Sequence, residues 1–191
     1  VMLLQLSHLR ILGCDSSDNS RCGIYVNGNV DIRAVNVLLA DNEARSAGVW
    51  AQNNSLGSFY GQHLTVMNNR ALSTDDAGLD VTGGAPLVLE NTIVWNNDNG
   101  DGGNNCAIKL ATANDRLRHV ISDSICGTQS AENVNVNSIN PEIADAEYHL
   151  ADSSPARDAG LLATQYSLPL TDLEGNPRVM GSLPDLGVHE N

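Results

Sequence analysis

The sequence predicts an all-β fold: a right-handed, single-stranded parallel β-helix of about five coils with an irregular C-terminal capping segment. Three observations predict it. A four-residue element recurs at near-constant spacing, apolar positions alternate inside it, and Asn- and Gly-rich corners separate the copies. The element begins as Gly23-Ile24-Tyr25-Val26. It returns as Gly48-Val49-Trp50-Ala51, Gly78-Leu79-Asp80-Val81, Ala107-Ile108-Lys109-Leu110 and Asn133-Val134-Asn135-Val136. Starts at 23, 48, 78, 107 and 133 give steps of 25, 30, 29 and 26 residues. Such a period marks stacked repeats, each unable to bury its apolar face alone. Second and fourth positions are apolar in every copy, and a period of two belongs to a strand, not a helix.

A second element precedes the later copies: Asn36-Val37-Leu38-Leu39, His63-Leu64-Thr65-Val66, Asn91-Thr92-Ile93-Val94 and Asp123-Ser124-Ile125-Cys126. Its steps of 27, 28 and 32 residues match those of the first. Polar corners follow three of these copies, at Asp41-Asn42, Asn68-Asn69 and Asn96-Asn97. Taken in order, residues 3–26 form the first coil, with Leu9 and Ile11 inward. Coils at 30–51, 59–81, 87–110 and 118–139 follow, and the coiled unit is 1–139. The start at Val1 reads as interior to a longer helix whose earlier coils precede it. From 140 the period stops, and 140–191 is the capping segment. Pro141, Pro155, Pro169, Pro177 and Pro184 cannot continue a ladder, so this segment ends the open final coil and wraps it. Leu150, Ala156, Leu161 and Leu186 would supply apolar cover, and Arg178 would pair with Asp158, Asp172 or Asp185.

Charge narrows the partners. The 191 residues carry 23 acidic and 10 basic side chains, a formal net charge of -13. No cationic face exists to displace counterions from nucleic acid or to dock on anionic lipid. No apolar run is long enough to insert in a membrane. Only one Phe is present, as suits a core of aliphatic ladders. An acidic surface rich in Asn, Ser, Thr and Gly suits a secreted, solvent-tolerant chain; the candidate functions below make a polysaccharide or another cell-surface protein the expected partner. Cys14 and Cys22 bracket a polar loop and make a natural disulfide staple there. Four cysteines allow three pairings, of which 14–22 with 106–126 is favoured, with Cys106 and Cys126 as buried thiols the alternative. No pair has the spacing of a zinc ligand set.

Candidate sites lie on outward columns and loops. Tyr25, Trp50, Asp80, Lys109 and Asn135 would stand side by side, about 4.8 Å apart. Tyr25 and Trp50 then offer an aromatic platform for a sugar ring, although aromatics also simply suit exposed strand positions. Asp80 and Lys109 pair across strands. Asn97, Asn99 and Asp101 have the alternate spacing of calcium oxygen ligands, but Ile108 stands where an EF-hand has its closing Glu. A long Asn/Gly turn bonded to its own backbone is the preferred reading of that run. The column Asn36, His63, Asn91, Asp123 reads as a hydrogen-bonded ladder with His63 as a substitution within it.

In the last fifty residues a resemblance carries further expectations. Asn140-Pro141-Glu142-Ile143 is followed by Glu147-Tyr148-His149-Leu150-Ala151-Asp152-Ser153-Ser154-Pro155-Ala156-Arg157-Asp158-Ala159-Gly160. Then come Thr171-Asp172-Leu173-Glu174-Gly175-Asn176-Pro177-Arg178 and Pro184-Asp185-Leu186-Gly187-Val188-His189-Glu190. These blocks resemble the choice-of-anchor Q region of bacterial parallel β-helix surface proteins, worded "DYxLxxxSPAIDAG", "TDLDGNPR" and "DIGAYE". Upstream, the coils resemble that family's pectate-lyase-like helix only as a type of repeat. The chain departs from the wording at Arg157 and His189, and the resemblance implies a sorting signal beyond the terminal module, after Asn191. The resemblance implies a secreted or cell-surface bacterial protein.

Three functions stand. The first is a non-catalytic adhesin, glycan-binding or matrix protein. The second is a polysaccharide lyase or hydrolase, for which Asp75, Asp76, Asp80 and Lys109 form the available set, with calcium as its cofactor. No Gly-His-Gly of the polygalacturonase kind is present. The third is a subunit that stacks through an open helix end.

Overall fold

The computed structural model describes residues 2–15, 21–52, 57–72, 78–99, 106–127 and 133–191. In chain order its strands are β1 (Met2–Leu12), β2 (Ile24–Asn27), β3 (Val30–Ala40), β4 (Glu43–Ala44) and β5 (Val49–Gln52). Next come β6 (Ser58–Met67), β7 (Arg70–Ala71), β8 (Leu79–Thr82), β9 (Leu87–Trp95) and β10 (Asp98–Asn99). Last are β11 (Ile108–Leu110), β12 (Arg116–Ser122), β13 (Ile125–Gly127) and β14 (Val134–Asn137), with no helix among the described residues. All pairings between strands are parallel. They form a large sheet β1-β3-β6-β9-β12-β14, a second sheet β2-β5-β8-β11-β13 and a small one β4-β7-β10. The result is a β-solenoid of about four turns.

Register follows the repeat. Ile24, Val49, Leu79 and Ile108 are paired rung to rung and fill the interior with Val37, Leu39, Leu64 and Val66. Glycine is needed where rungs approach most closely: a Cβ on Gly78 would collide with the Ala107 carbonyl. At the corners Asn42, Asn69 and Asn97 stack as a buried ladder. Asn42 Nδ2 donates to Asn69 Oδ1 at 2.8 Å, and Asn69 Nδ2 to Asn97 Oδ1 at 2.9 Å. Each amide also bonds bent backbone, as Asn69 does with the Leu39 carbonyl and the Asn42 N–H. Losing one such bond inside costs about 1–3 kcal/mol, so the corner chemistry is structural.

Each long strand of the large sheet is broken by one left-handed residue. His8, Asn36, His63, Asn91, His119 and Asn135 have φ between 51° and 54°, where Asn and His are tolerated better than most residues. Inside-out parity reverses there: Ile32 and Ala34 point inward before Asn36, then Val37 and Leu39 after it. The reversal leaves a second apolar face on the outside of the sheet, carrying Leu38, Met67, Ile93 and Ile121.

Two expectations are corrected in the final turn. Residues 133–136 join the large sheet in β14 rather than the second sheet, and Ile125–Gly127 supply β13 beside β11. Hence His119, not Asp123, continues the column of Asn36, His63 and Asn91, and Cys126, not Asn135, stands next to Lys109. The reason is a shortened coil. β12 turns into β13 through Asp123 and Ser124 alone, without the short strand and loop of the preceding turns. Counting a fixed period overran it.

The C-terminal segment is corrected as well. Rather than closing the far opening, it lies lengthwise along the large sheet and covers the second apolar face with Tyr148, Leu150, Ala156, Leu186 and Val188. It bonds the rungs from β12 back to β1. His119 Nδ1 lies 2.7 Å from the Ala159 carbonyl, Leu161 N–H donates to Asn91 Oδ1 at 2.7 Å, and Gly187 N–H donates to the Asn91 carbonyl at 2.9 Å. Asn36 Nδ2 donates to the Thr171 carbonyl at 2.8 Å, and Arg10 on β1 grips Glu147 and Glu174 at 2.7 and 3.1 Å. Arg178 is buried beneath this segment. Its ion-pair partner is Glu190 at 3.3 Å, not Asp158, Asp172 or Asp185.

Candidate functional site

The outward column of the second sheet forms as far as Lys109. Tyr25 and Trp50 are stacked with centroids 4.9 Å apart and planes 23° apart. The Arg21 guanidinium lies over both, 4.1 Å from the Tyr25 centroid and 4.7 Å from that of Trp50. A sugar ring would have to displace this cation to stack there. Lys109 Nζ sits 3.2 Å from Asp80 Oδ2, with Asp80 almost wholly buried and Lys109 half exposed. Asp75, Asp76 and Asp101 lie outside the described residues, as does the side chain of Asn99. Asn97 is part of the corner ladder, where its oxygen accepts from the Asn69 N–H and amide. Cys14 is bonded to Cys22 and Cys106 to Cys126, each pair having Cα atoms within 6 Å (5.9 and 5.7 Å).

A more enclosed site lies on the outer face of the large sheet, before the left-handed residues. There Asp31 and Arg33 of β3, Ser58 and Tyr60 of β6, Glu90 of β9 and Arg116 and Arg118 of β12 point away from the interior. The C-terminal segment hangs Tyr166 over them. Tyr60 and Tyr166 meet edge to face, with centroids 4.6 Å apart and planes at 76°, and the Arg33 guanidinium lies 4.4 Å from the Tyr166 centroid. Beneath them Glu90 is fully buried. Its Oε2 accepts from the Tyr60 hydroxyl at 2.7 Å and the Gln165 N–H at 2.8 Å, and its Oε1 pairs with Arg118 at 2.7 Å. Burial, then the bond to Glu90, push the Tyr60 phenol far up, so it stays a neutral donor.

Tyr166 divides two clefts, of about 240 and 260 Å³, that share Ser58, Tyr60 and Tyr166. One adds Gln5, Asp31 and Arg33; the other adds Asn114, Arg116 and Gln165. Together they make a groove crossing five strands, β1 to β12, or about 19 Å at the usual strand spacing. Sequence reasoning missed this groove. Glu90 carried a usable signal, as the one charged side chain of β9, and Tyr60 a weaker one at an outward position. Tyr166 carried none, because it stands in a segment without period.

Comparison with protein-family models, curated proteins and solved structures returns no match. Among the described residues no helix is long and apolar enough to cross a membrane.

Proposed function

We propose that this chain is a non-catalytic, secreted or cell-surface bacterial scaffold that holds a linear polysaccharide in the Tyr60–Tyr166 groove. The observation that carries this reading is the aromatic pair set across an elongated polar cleft. Tyr166 keeps 43% of its surface exposed above it. Sugar rings stack their C–H faces on such rings, while Asp31, Ser58, Asn114 and Gln165 can bond hydroxyl groups along the chain. Glu90, buried beneath the cleft, has both oxygens committed to Arg118, Tyr60 and Gln165, and Asp31, the carboxylate that lines it, accepts from Ser58. That supports a binding site rather than an acid–base pair, which needs a carboxyl free to exchange a proton with substrate. The extracellular address rests on the two disulfides and on the resemblance of residues 140–190 to a bacterial surface module.

Tyr166→Ala tests this reading. In affinity electrophoresis against a panel of uronate and neutral polysaccharides, the parent protein should be retarded by at least one of them. The variant should bind about tenfold more weakly, equivalent to about 1.4 kcal/mol, with an unchanged melting temperature. Retardation that survives Tyr166→Ala but is lost in Trp50→Ala would move the site to the Tyr25–Trp50 column. Release of oligosaccharides, abolished by Asp80→Asn, would replace binding by catalysis.

A further inference from the structure

His149, Glu174 and His189 come together where the C-terminal segment crosses β1. One ligand-capable atom of each lies within 4.8 Å of the other two. The imidazole centroids are 4.3 Å apart, with planes tilted by 42°. What surrounds them fixes which atoms are free. Asp145 Oδ2 is 2.8 Å from His149 Nδ1, and the Glu147 carbonyl is 2.9 Å from His189 Nε2. Both oxygens accept, so the protons sit on Nδ1 of His149 and on Nε2 of His189. The remaining lone pairs are His149 Nε2 and His189 Nδ1. His189 is 1% exposed, and its Nδ1 is buried with no hydrogen-bond partner.

Glu174 divides its two oxygens in a way that suits a single bond to an ion. Oε1 takes Arg10 at 3.1 Å, and Oε2 stands 3.1 Å from His149 Nε2. Donors on a tetrahedral ion with bonds of about 2.0–2.1 Å lie about 3.3 Å apart, so this edge is already near its bound length. Two imidazoles and one carboxylate are the donors of zinc and its transition-metal neighbours, not of calcium or magnesium. An imidazole N–H held by a carboxylate or a backbone carbonyl is the usual way to aim the opposite nitrogen at a metal.

We propose that His149 Nε2, Glu174 Oε2 and His189 Nδ1 form a binding site for one divalent transition ion of the zinc class, with a fourth position open to water. The ion would tie residues 149 and 189 to Glu174, and through Arg10 to β1, stapling the C-terminal segment to the first turn.

The test uses the untagged full chain, stripped with a chelator, dialysed and titrated with ZnCl2 by calorimetry and with CoCl2 by visible absorption. The parent protein should bind one equivalent, and its melting temperature should rise with zinc but not with CaCl2. His149→Gln and Glu174→Gln should each weaken zinc binding at least tenfold and remove the cobalt d–d band. Asp145→Asn, a positioning change, should weaken binding about tenfold while keeping the band. These side chains are about one-third to one-half exposed, so the metal-free variants should melt close to the parent. No stoichiometric zinc binding by the parent, or affinity unaltered in both ligand variants, would overturn the proposal.

Discussion

Arg178→Ala is expected to cost about 3–5 kcal/mol of stability, the typical loss when one partner of a buried ion pair is removed. The side chain is 2% exposed. Its Nη2 donates to Asn36 Oδ1 at 2.6 Å and to the Val188 carbonyl at 3.0 Å. Its Nη1 donates to the Gly187 carbonyl and to Glu190 Oε2, both at 3.3 Å. One guanidinium thus joins β3 to the final turns of the C-terminal segment. Burial pulls its pKa down, but Glu190 and Asp172 oppose this and the group stays charged. Glu190 is itself pushed up to about 7, first by burial and then by the negative charge of Asp185, against the pull of Arg178. Alanine would leave the Asn36 oxygen without its donor and strip the buried Glu190 carboxyl of its cation, leaving it the Asp185 N–H. Arg178→Lys should recover only part of the loss, since an ammonium cannot span four acceptors in one plane. Urea unfolding followed by the fluorescence of Trp95, which packs on the second apolar cluster, measures both.

A pH effect is expected from His63. This imidazole is fully buried, its Nδ1 3.2 Å from the Gly187 carbonyl and its Nε2 3.2 Å from the Asn91 amide nitrogen. The carbonyl requires a proton on Nδ1, so Nε2 accepts from the amide. A second proton would set two donors face to face. Burial first, then the positive Arg178, hold the pKa well below 6.5. The unfolded chain takes up a proton near pH 6.5 that the folded chain refuses. Stability from His63 is therefore complete above pH 6.5 and falls by about 1.4 kcal/mol per pH unit below it. His189, lowered by burial and then by His149, acts in the same direction. Glu190 opposes both: with a folded pKa of about 7 against 4.5 unfolded, it stabilises most at low pH and loses that contribution as pH rises through 7.

Comparison with His63→Asn isolates the histidine, because Asn already occupies this left-handed position at Asn36 and Asn91. Between pH 6.5 and 5.5 the parent should lose about 1 kcal/mol more than the variant. Parallel pH profiles would contradict a neutral, caged imidazole.

Much of this architecture was legible because stacking repeats a physical constraint at every rung. Ile24, Val49, Leu79 and Ile108 must be apolar and in register, and Asn42, Asn69 and Asn97 must each satisfy the same bent corner, so both columns show as periods. The Cys14–Cys22 disulfide was legible because the two bracket one loop, whereas Cys106 and Cys126 offered only their positions in the repeat. Where the constraint changed, spacing misled. A missing corner strand moved His119 and Cys126 into places given to Asp123 and Asn135. The alternation His8, Asn36, His63, Asn91, His119, Asn135 was hidden, because two residue types share one backbone requirement. The groove and the His149–Glu174–His189 cluster depend on where an aperiodic segment lies. That path is set by long-range bonds such as Gln62 to Thr164 and Gln165 to Glu90, for which local sequence carries no pattern.

The claim on which both sites depend is that residues 140–191 are welded along the large sheet as part of one cooperative unit. Native-state hydrogen exchange tests it most directly. The amides of Leu161, Gly187 and Val188, which donate to Asn91 and Thr65, should exchange only on global unfolding, with the same free energy and denaturant dependence as those of β6 and β9. Exchange of these amides through a separate opening of lower free energy, while the β6 and β9 amides stay protected, would contradict it.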